Sequence, residues 1–224
     1  MSNHNCAWIA GASGLVGNHL LLLLLDDPRV RTVLSFGRRE LEISHPKLNQ
    51  RVVDFASLPQ DLPDPTVAFC CLGTTIRSAG SPEAFRLVDH DYVVAFSQAA
   101  SSAGASMALM ISAIGADCES SNLYLRTKGE AEHAVSMLPF TTVHIARPSL
   151  LLGKRRDFRL GERLVIPLFY ALWPVMLGPL KKYRAIHAQR VAKAMQKLVF
   201  HDAQGVHVHE SHELSEIAVT SCPS

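Results

Sequence analysis

Along the first two-thirds of the chain, short apolar runs alternate with longer stretches whose apolar residues recur at helical spacing. The runs Ala7–Ala10, Arg31–Phe36, Arg51–Val53, Val67–Cys71, Met107–Ser112 and Thr142–Ala146 read as strands. Leu15–Leu25, Pro82–Ala103, Asn122–Met137 and Gln189–Phe200 read as helices. Turn chemistry falls between them, at Asp27–Pro28 and in segments 59–65, 73–81 and 115–121. Strands alternating with helices predict βαβ units, hence an α/β fold with a parallel sheet covered on both faces. Beyond Pro148 the alternation loosens. A basic loop (Lys154, Arg155, Arg156, Arg159, Arg163) leads into the apolar stretch Leu164–Leu180, and a strand-like Gly205–His209 follows. The simplest organisation is one domain over residues 1–224, with a core over about 6–148 and a small C-terminal elaboration over about 149–224 on the substrate side. There is no internal repeat and no low-complexity segment.

Composition narrows the class. With 48% hydrophobic and 19% charged residues, the chain has apolar material for a large core, which excludes disorder. The net charge of +2 comes from scattered basic residues, so no nucleic-acid partner is expected. Five cysteines without a repeating spacing, and no secretory signal before the first strand, suggest reduced thiols and a cytoplasmic protein. Leu20–Leu25 is too short to span a bilayer, and Leu164–Leu180 is interrupted by Pro167, Pro174, Gly178 and Pro179, so no integral membrane segment is expected. The second stretch reads instead as a buried helix, a lid over a pocket or an oligomer face, which leaves a homo-oligomer open.

The first predicted strand runs directly into Gly11-Ala12-Ser13-Gly14-Leu15-Val16-Gly17 and then a leucine-rich helix. Glycines at three-residue spacing in that context permit a tight turn, close approach of a pyrophosphate to the backbone, and close helix–strand packing. The free N–H groups and positive dipole end of the helix then receive the phosphates. The fold is therefore expected to be a Rossmann-type doubly wound sheet binding a dinucleotide. An NAD site would place a carboxylate on the ribose 2′-hydroxyl about twenty residues further on. Here Gly37 is followed by Arg38 and Arg39, whose guanidiniums suit a 2′-phosphate, so NADP(H) is favoured. Asp54, after the third strand, reads either as an acceptor for the adenine edge or as a turn cap. Leu72, Gly73 and Thr74 end the fourth strand, where a glycine would let the cofactor lie against the backbone.

Tyr124 and Lys128 stand four apart on a predicted helix and project from one face. A lysine ammonium so placed favours the phenolate, which suits a tyrosine that gives its proton to a carbonyl oxygen during hydride transfer. Ser112, at the C-terminal end of the fifth strand, is placed to hydrogen-bond the same oxygen. The ordered set of glycine turn, strand-end serine, Tyr-x-x-x-Lys and Arg147-Pro148 resembles the short-chain dehydrogenase/reductase superfamily, in its atypical or extended branch. More narrowly, Cys70-Cys71-Leu72-Gly73-Thr74-Thr75, Val88-Asp89-His90-Asp91-Tyr92, Ser120-Ser121-Asn122-Leu123-Tyr124-Leu125 and Lys128-Gly129-Glu130-Ala131-Glu132 look like the oxidoreductase-like Tat-interacting proteins and their bacterial relatives, over roughly residues 6–200. The resemblance implies that Ser112, Tyr124 and Lys128 form the catalytic set. It also implies that the lysine holds the nicotinamide ribose and that Arg147 lies among the cofactor contacts. The pattern is broken where Ala113 and Ile114 replace further hydroxyl residues, and where no relay asparagine accompanies Asp89.

His207, His209 and His212 with Glu210 and Glu213 do not follow a zinc-protease order, and no metal is expected. Adjacent Cys70 and Cys71 point to opposite sides of a strand and suit packing. The leading expectation is an NADPH-dependent reductase of a small carbonyl substrate. A second is an NADPH-sensing regulator that presents the apolar stretch Leu164–Leu180 to a protein partner. A third is a nucleotide-sugar epimerase or dehydratase, for which the chain is short.

Overall fold

The computed structural model describes residues 6–59, 62–153, 184–201 and 203–220. In chain order the elements are β1 (Cys6–Ala10), α1 (Leu15–Asp26), β2 (Thr32–Gly37), β3 (Leu48–Val52), β4 (Val67–Cys70), α2 (Ile76–Ala79) and α3 (Pro82–Arg86). A π-helical turn (Leu87–Asp91) leads into α4 (Tyr92–Ser102), followed by β5 (Met107–Ile111), α5 (Leu123–Ser136), β6 (Thr142–Arg147) and β7 (Leu151–Leu152). The described C-terminal part adds β8 (Ile186–His187), α6 (Ala188–Leu198), β9 (Gly205–Glu210) and α7 (Ser211–Val219).

Seven strands form one parallel sheet in the order β3-β2-β1-β4-β5-β6-β9, and β7 pairs with β8 in a small second sheet. The strand order reverses between β1 and β4, which opens a crevice at their C-terminal ends where ligands of such sheets bind. All five residues of β1 are buried, as a central strand covered on both faces requires.

The two sheet faces carry separate cores. On one, Ile9, Val33, Phe69 and Leu109 meet α1, α6 and α7. On the other, Trp8, Phe36 and Phe96 form a triangle with ring centroids 4.9, 5.5 and 6.3 Å apart, beside Val93 and Ala100 of α4 and Ala131 and Val135 of α5. Helix α6 buries Ala188, Val191, Ala192, Ala194, Met195 and Leu198 at helical spacing, and this face packs on α1. Leu20, Leu21, Leu24 and Leu25 of α1 are thus covered by the sheet and by α6, while Leu22 stays exposed.

Several expectations are corrected. The C-terminal part does more than elaborate a core ending near residue 148, since β9 extends the sheet and α6 and α7 complete one core layer. The single helix expected over Pro82–Ala103 is broken by the π-turn. Strand β3 starts at Leu48, before the expected Arg51. As an edge strand with mostly exposed side chains it shows no apolar alternation, and backbone pairing to β2 defines it. Helices α2 and α7 were not expected. Segment 73–81 has turn composition, and α7 begins where Glu210 and Glu213 form a reciprocal capping box. Those two carboxylates, considered with the neighbouring histidines as ligands, are helix-capping groups. The basic loop and the apolar stretch Leu164–Leu180 lie outside the described residues.

Candidate functional site

The glycine turn leaves β1 at the reversal of strand order. Gly11 takes φ +80°, and a Cβ there would lie 2.5 Å from the Cys71 carbonyl oxygen, so no side chain fits. A Cβ on Gly17 would collide with the Gly11 carbonyl, which sets how closely α1 approaches the turn. Gly14 is the N-cap of α1 and supplies no side chain to cap it. The N–H groups of Leu15, Val16 and Gly17, in the first turn, are those that a helix cannot bond internally. Ser13, exposed, stands beside them.

Beyond β2, Gly37 leads to exposed Arg38 and Arg39. A cleft of about 420 Å³ is lined by Ser13 of the turn and by Ser35, Gly37, Arg38, Arg39 and Leu41, among others, with no carboxylate among the described residues that line it. The structure thus brings the turn and both arginines to one opening. Asp54 is exposed, and its carboxylate accepts the Ala56 N–H at 3.0 Å, the turn-capping geometry.

Across the crevice, the segment after β4 is fixed by the Cys71 N–H bonding to Ala10 O at 2.8 Å. Further along, the Thr74 N–H donates to Asp89 Oδ2 at 2.7 Å, and Asp89 Oδ1 lies 2.7 Å from Lys128 Nζ. That second contact is an ion pair lying off the line of a well-directed hydrogen bond. Gly73 rests against this pair, where a Cβ would stand 3.5 Å from the carboxylate and 3.6 Å from the ammonium. Asp89 is wholly buried and Lys128 nearly so. Burial works against the ammonium, but the Asp89 carboxylate and Tyr124 outweigh it and hold the Lys128 pKa above the ordinary lysine value. Lys128 is therefore a cation inside the protein.

Helix α5 begins cleanly because Asn122 Oδ1 accepts the N–H groups of Tyr124 at 2.9 Å and Leu125 at 3.3 Å. Tyr124 sits in this first turn, half-buried, stacked on Phe85 of α3 with ring centroids 5.5 Å apart. Gly129 lets the helix touch the backbone of Asp117 and Cys118, where a Cβ would clash. Ser112 follows β5, with its N–H bonded to Ala146 O at 2.8 Å. Its hydroxyl is buried and has no partner among the described residues, a donor held ready for another group.

Arg147, expected among the cofactor contacts, has its guanidinium fork engaged by Glu132 of α5, with Nε 2.9 Å from Oε1 and Nη2 on Oε2. It ties β6 to α5. Burial pushes the Cys70 thiol up to about 12, which leaves it unreactive at neutral pH. His207 and His209 share a sheet face with His144, whose Nδ1 lies 3.0 Å from His209 Nε2, and no metal-holding group occurs among the described residues. Sequence reasoning missed Asp89 as a site residue. Only the π-turn and the distant Lys128 show where its carboxylate goes.

The sheet order and the crevice at its reversal define a Rossmann-type fold. It is shared with MoeE5 solved with UDP-glucose and NAD, at a TM-score of 0.69 and 16% identity over 96% of this chain and 81% of that one. No protein-family model matches the chain. It is 40% identical over 171 residues to Protein HTATIP2 of Rattus norvegicus, covering 74% of this chain and 70% of that protein. It is 32% identical over 163 residues to Protein fmp52, mitochondrial, of Emericella nidulans, covering 69% and 70%. The chain belongs to the HTATIP2/FMP52-like family. The fungal relatives are named as mitochondrial, so the family does not carry the cytoplasmic expectation. Among the described residues, no helix is long and apolar enough to cross a membrane.

Proposed function

We propose that the protein binds NADP(H) along the crevice and reduces a small carbonyl compound. What carries this reading is the gathering of a tight glycine turn, an arginine-lined cleft and the Ser112, Tyr124 and Lys128 group at the C-terminal edge of one sheet. The residues suit the cofactor. The first turn of α1 offers unbonded N–H groups to a pyrophosphate, and Arg38 and Arg39 offer forked donors to a 2′-phosphate. The cofactor supplies a hydride.

Ser112 donates its free hydroxyl to the substrate oxygen, and Tyr124 gives that oxygen a proton. The Lys128 cation stabilises the phenolate left on Tyr124, which regains its proton from solvent. MoeE5 binds NAD on the same fold, which supports a nicotinamide cofactor here.

Two variants test the reading. Replacing Arg38 and Arg39 together by Ala is expected to weaken NADPH by about tenfold or more while NADH changes little, since only the 2′-phosphate loses its charge-assisted partners. Equal losses for both nucleotides in calorimetry would remove the NADP assignment. Tyr124→Phe is expected to cut NADPH oxidation with a carbonyl panel by about 10²- to 10⁴-fold and leave NADPH affinity within about twofold. If NADPH binds tightly but no carbonyl in the panel is reduced, the protein is an NADPH-responsive regulator instead.

A further inference from the structure

Three elements of the site meet on one carboxylate. Asp89 comes from the π-turn, Thr74 from the segment after β4 and Lys128 from α5, and both Asp89 oxygens are committed, one to the Thr74 N–H and one to the ammonium. A buried charge is tolerated only when paired, so this arrangement is costly to keep for packing alone. It also sits on an irregular turn. π-Turns inside helices occur mostly at functional positions, and Asp89 is the one buried residue of this one. A tie between helices would need only the Asp89–Lys128 contact. The added bond to Thr74 reaches the segment that borders the crevice, with Gly73 resting on the pair.

We propose that Asp89 is a positioning residue: on one buried carboxylate it fixes both the Lys128 ammonium and the Thr74 amide, and so sets the nicotinamide end of the site before any ligand binds. The role rests on the cofactor reading above. Among the described residues, the groups facing the ammonium are Asp89 from the π-turn, Tyr124 from its own helix and the Cys70 thiol from β4, so Asp89 is the only carboxylate of these. Without it, burial is opposed only by Tyr124 and Cys70, and Lys128 loses its proton at lower pH.

Asp89→Asn keeps an oxygen for the Thr74 N–H and removes the charge. The Lys128 13Cε resonance is followed against pH, and NADPH and 2′,5′-ADP are titrated by calorimetry. The second ligand carries the adenine and 2′-phosphate half only. Relative to wild type, the lysine midpoint is expected to fall by about two pH units or more. NADPH is expected to weaken by about tenfold or more while 2′,5′-ADP stays within about twofold. Asp89→Glu, which keeps the charge but displaces it, is expected to hold the lysine midpoint and still weaken NADPH selectively, and it decides the matter if Asp89→Asn does not fold. An unmoved midpoint in Asp89→Asn, or equal weakening of both ligands, overturns the proposal and leaves Asp89 a folding contact. Wild-type protein that binds neither ligand removes the cofactor reading and this role together. Binding with an unmoved lysine removes the role alone.

Discussion

Gly17 shows how a single missing Cβ sets a site. It stands in the first turn of α1 over the Gly11 carbonyl, and any side chain there would push the helix away from the turn. The N–H groups of that turn would then leave the position proposed for a pyrophosphate. Gly17→Ala is therefore expected to weaken NADPH by about tenfold or more, which is the loss of one or two charge-assisted hydrogen bonds, with a smaller fall in thermal stability. Calorimetric binding beside a melting curve checks it, and unchanged affinity in a folded variant would contradict it. These glycines were legible because the requirement is local: a strand, a tight turn and a helix within a dozen residues. Arg38 and Arg39 were legible for a similar reason, as the end of β2 lies at a fixed place relative to the turn in such folds. Asp89 and Arg147 were not. Each is defined by a partner far along the chain, Lys128 and Glu132, and only packing brings α5 to the π-turn and to β6.

Among the elements, the pair α1 and α6 depends on residues remote in sequence. Leu21 of α1 is fully buried in the core layer that α6 completes. Leu21→Ala is expected to cost about 2–5 kcal/mol, the range for a large aliphatic residue removed from a close-packed core. Urea unfolding should show this as a lower midpoint at an unchanged slope. A cost below about 1 kcal/mol would mean that α6 does not close over α1 as described. The leucine run of α1 alone could not show which side of the helix is covered, since it is apolar all round, with Leu22 exposed while Leu21 is buried. Helix α6 was legible, because its polar side stays in water and its apolar residues keep helical spacing. The π-turn left no sequence signal, as its residues suit an ordinary helix and the extra residue is accommodated by tertiary contacts.

For the whole molecule, acid stability turns on the last two strands of the sheet. His144 of β6 is buried against His209 and His207 of β9, and burial, with the nearby charges of His209, His207 and His201, pushes its pKa down to about 3. His209 is lowered as well, chiefly by burial. An unfolded histidine binds its proton near pH ~6.5, so below that pH the unfolded chain holds more protons than the native one. Stability is thus complete above about pH 6.5 and falls as the pH drops toward 3, at up to about 1.4 kcal/mol per pH unit for each such histidine. Unfolding midpoints at pH 7.5 and pH 5 would register the loss, and His144→Gln should flatten it. The same steep fall in that variant would assign acid sensitivity to other groups.

The sequence by itself determined the α/β class, the alternation of the main strands and helices and the glycine turn after β1, because each is encoded by local spacing or turn chemistry. Tertiary structure decided that β9 closes the sheet beside β6 and that Glu210 and Glu213 cap a helix. It also decided that Arg147 is tied to Glu132 and that the Lys128 cation answers to Asp89. Those outcomes depend on which distant segments share a buried, low-dielectric space, where an ion or hydrogen-bonding group must find a partner. Local pattern carries no record of that partner.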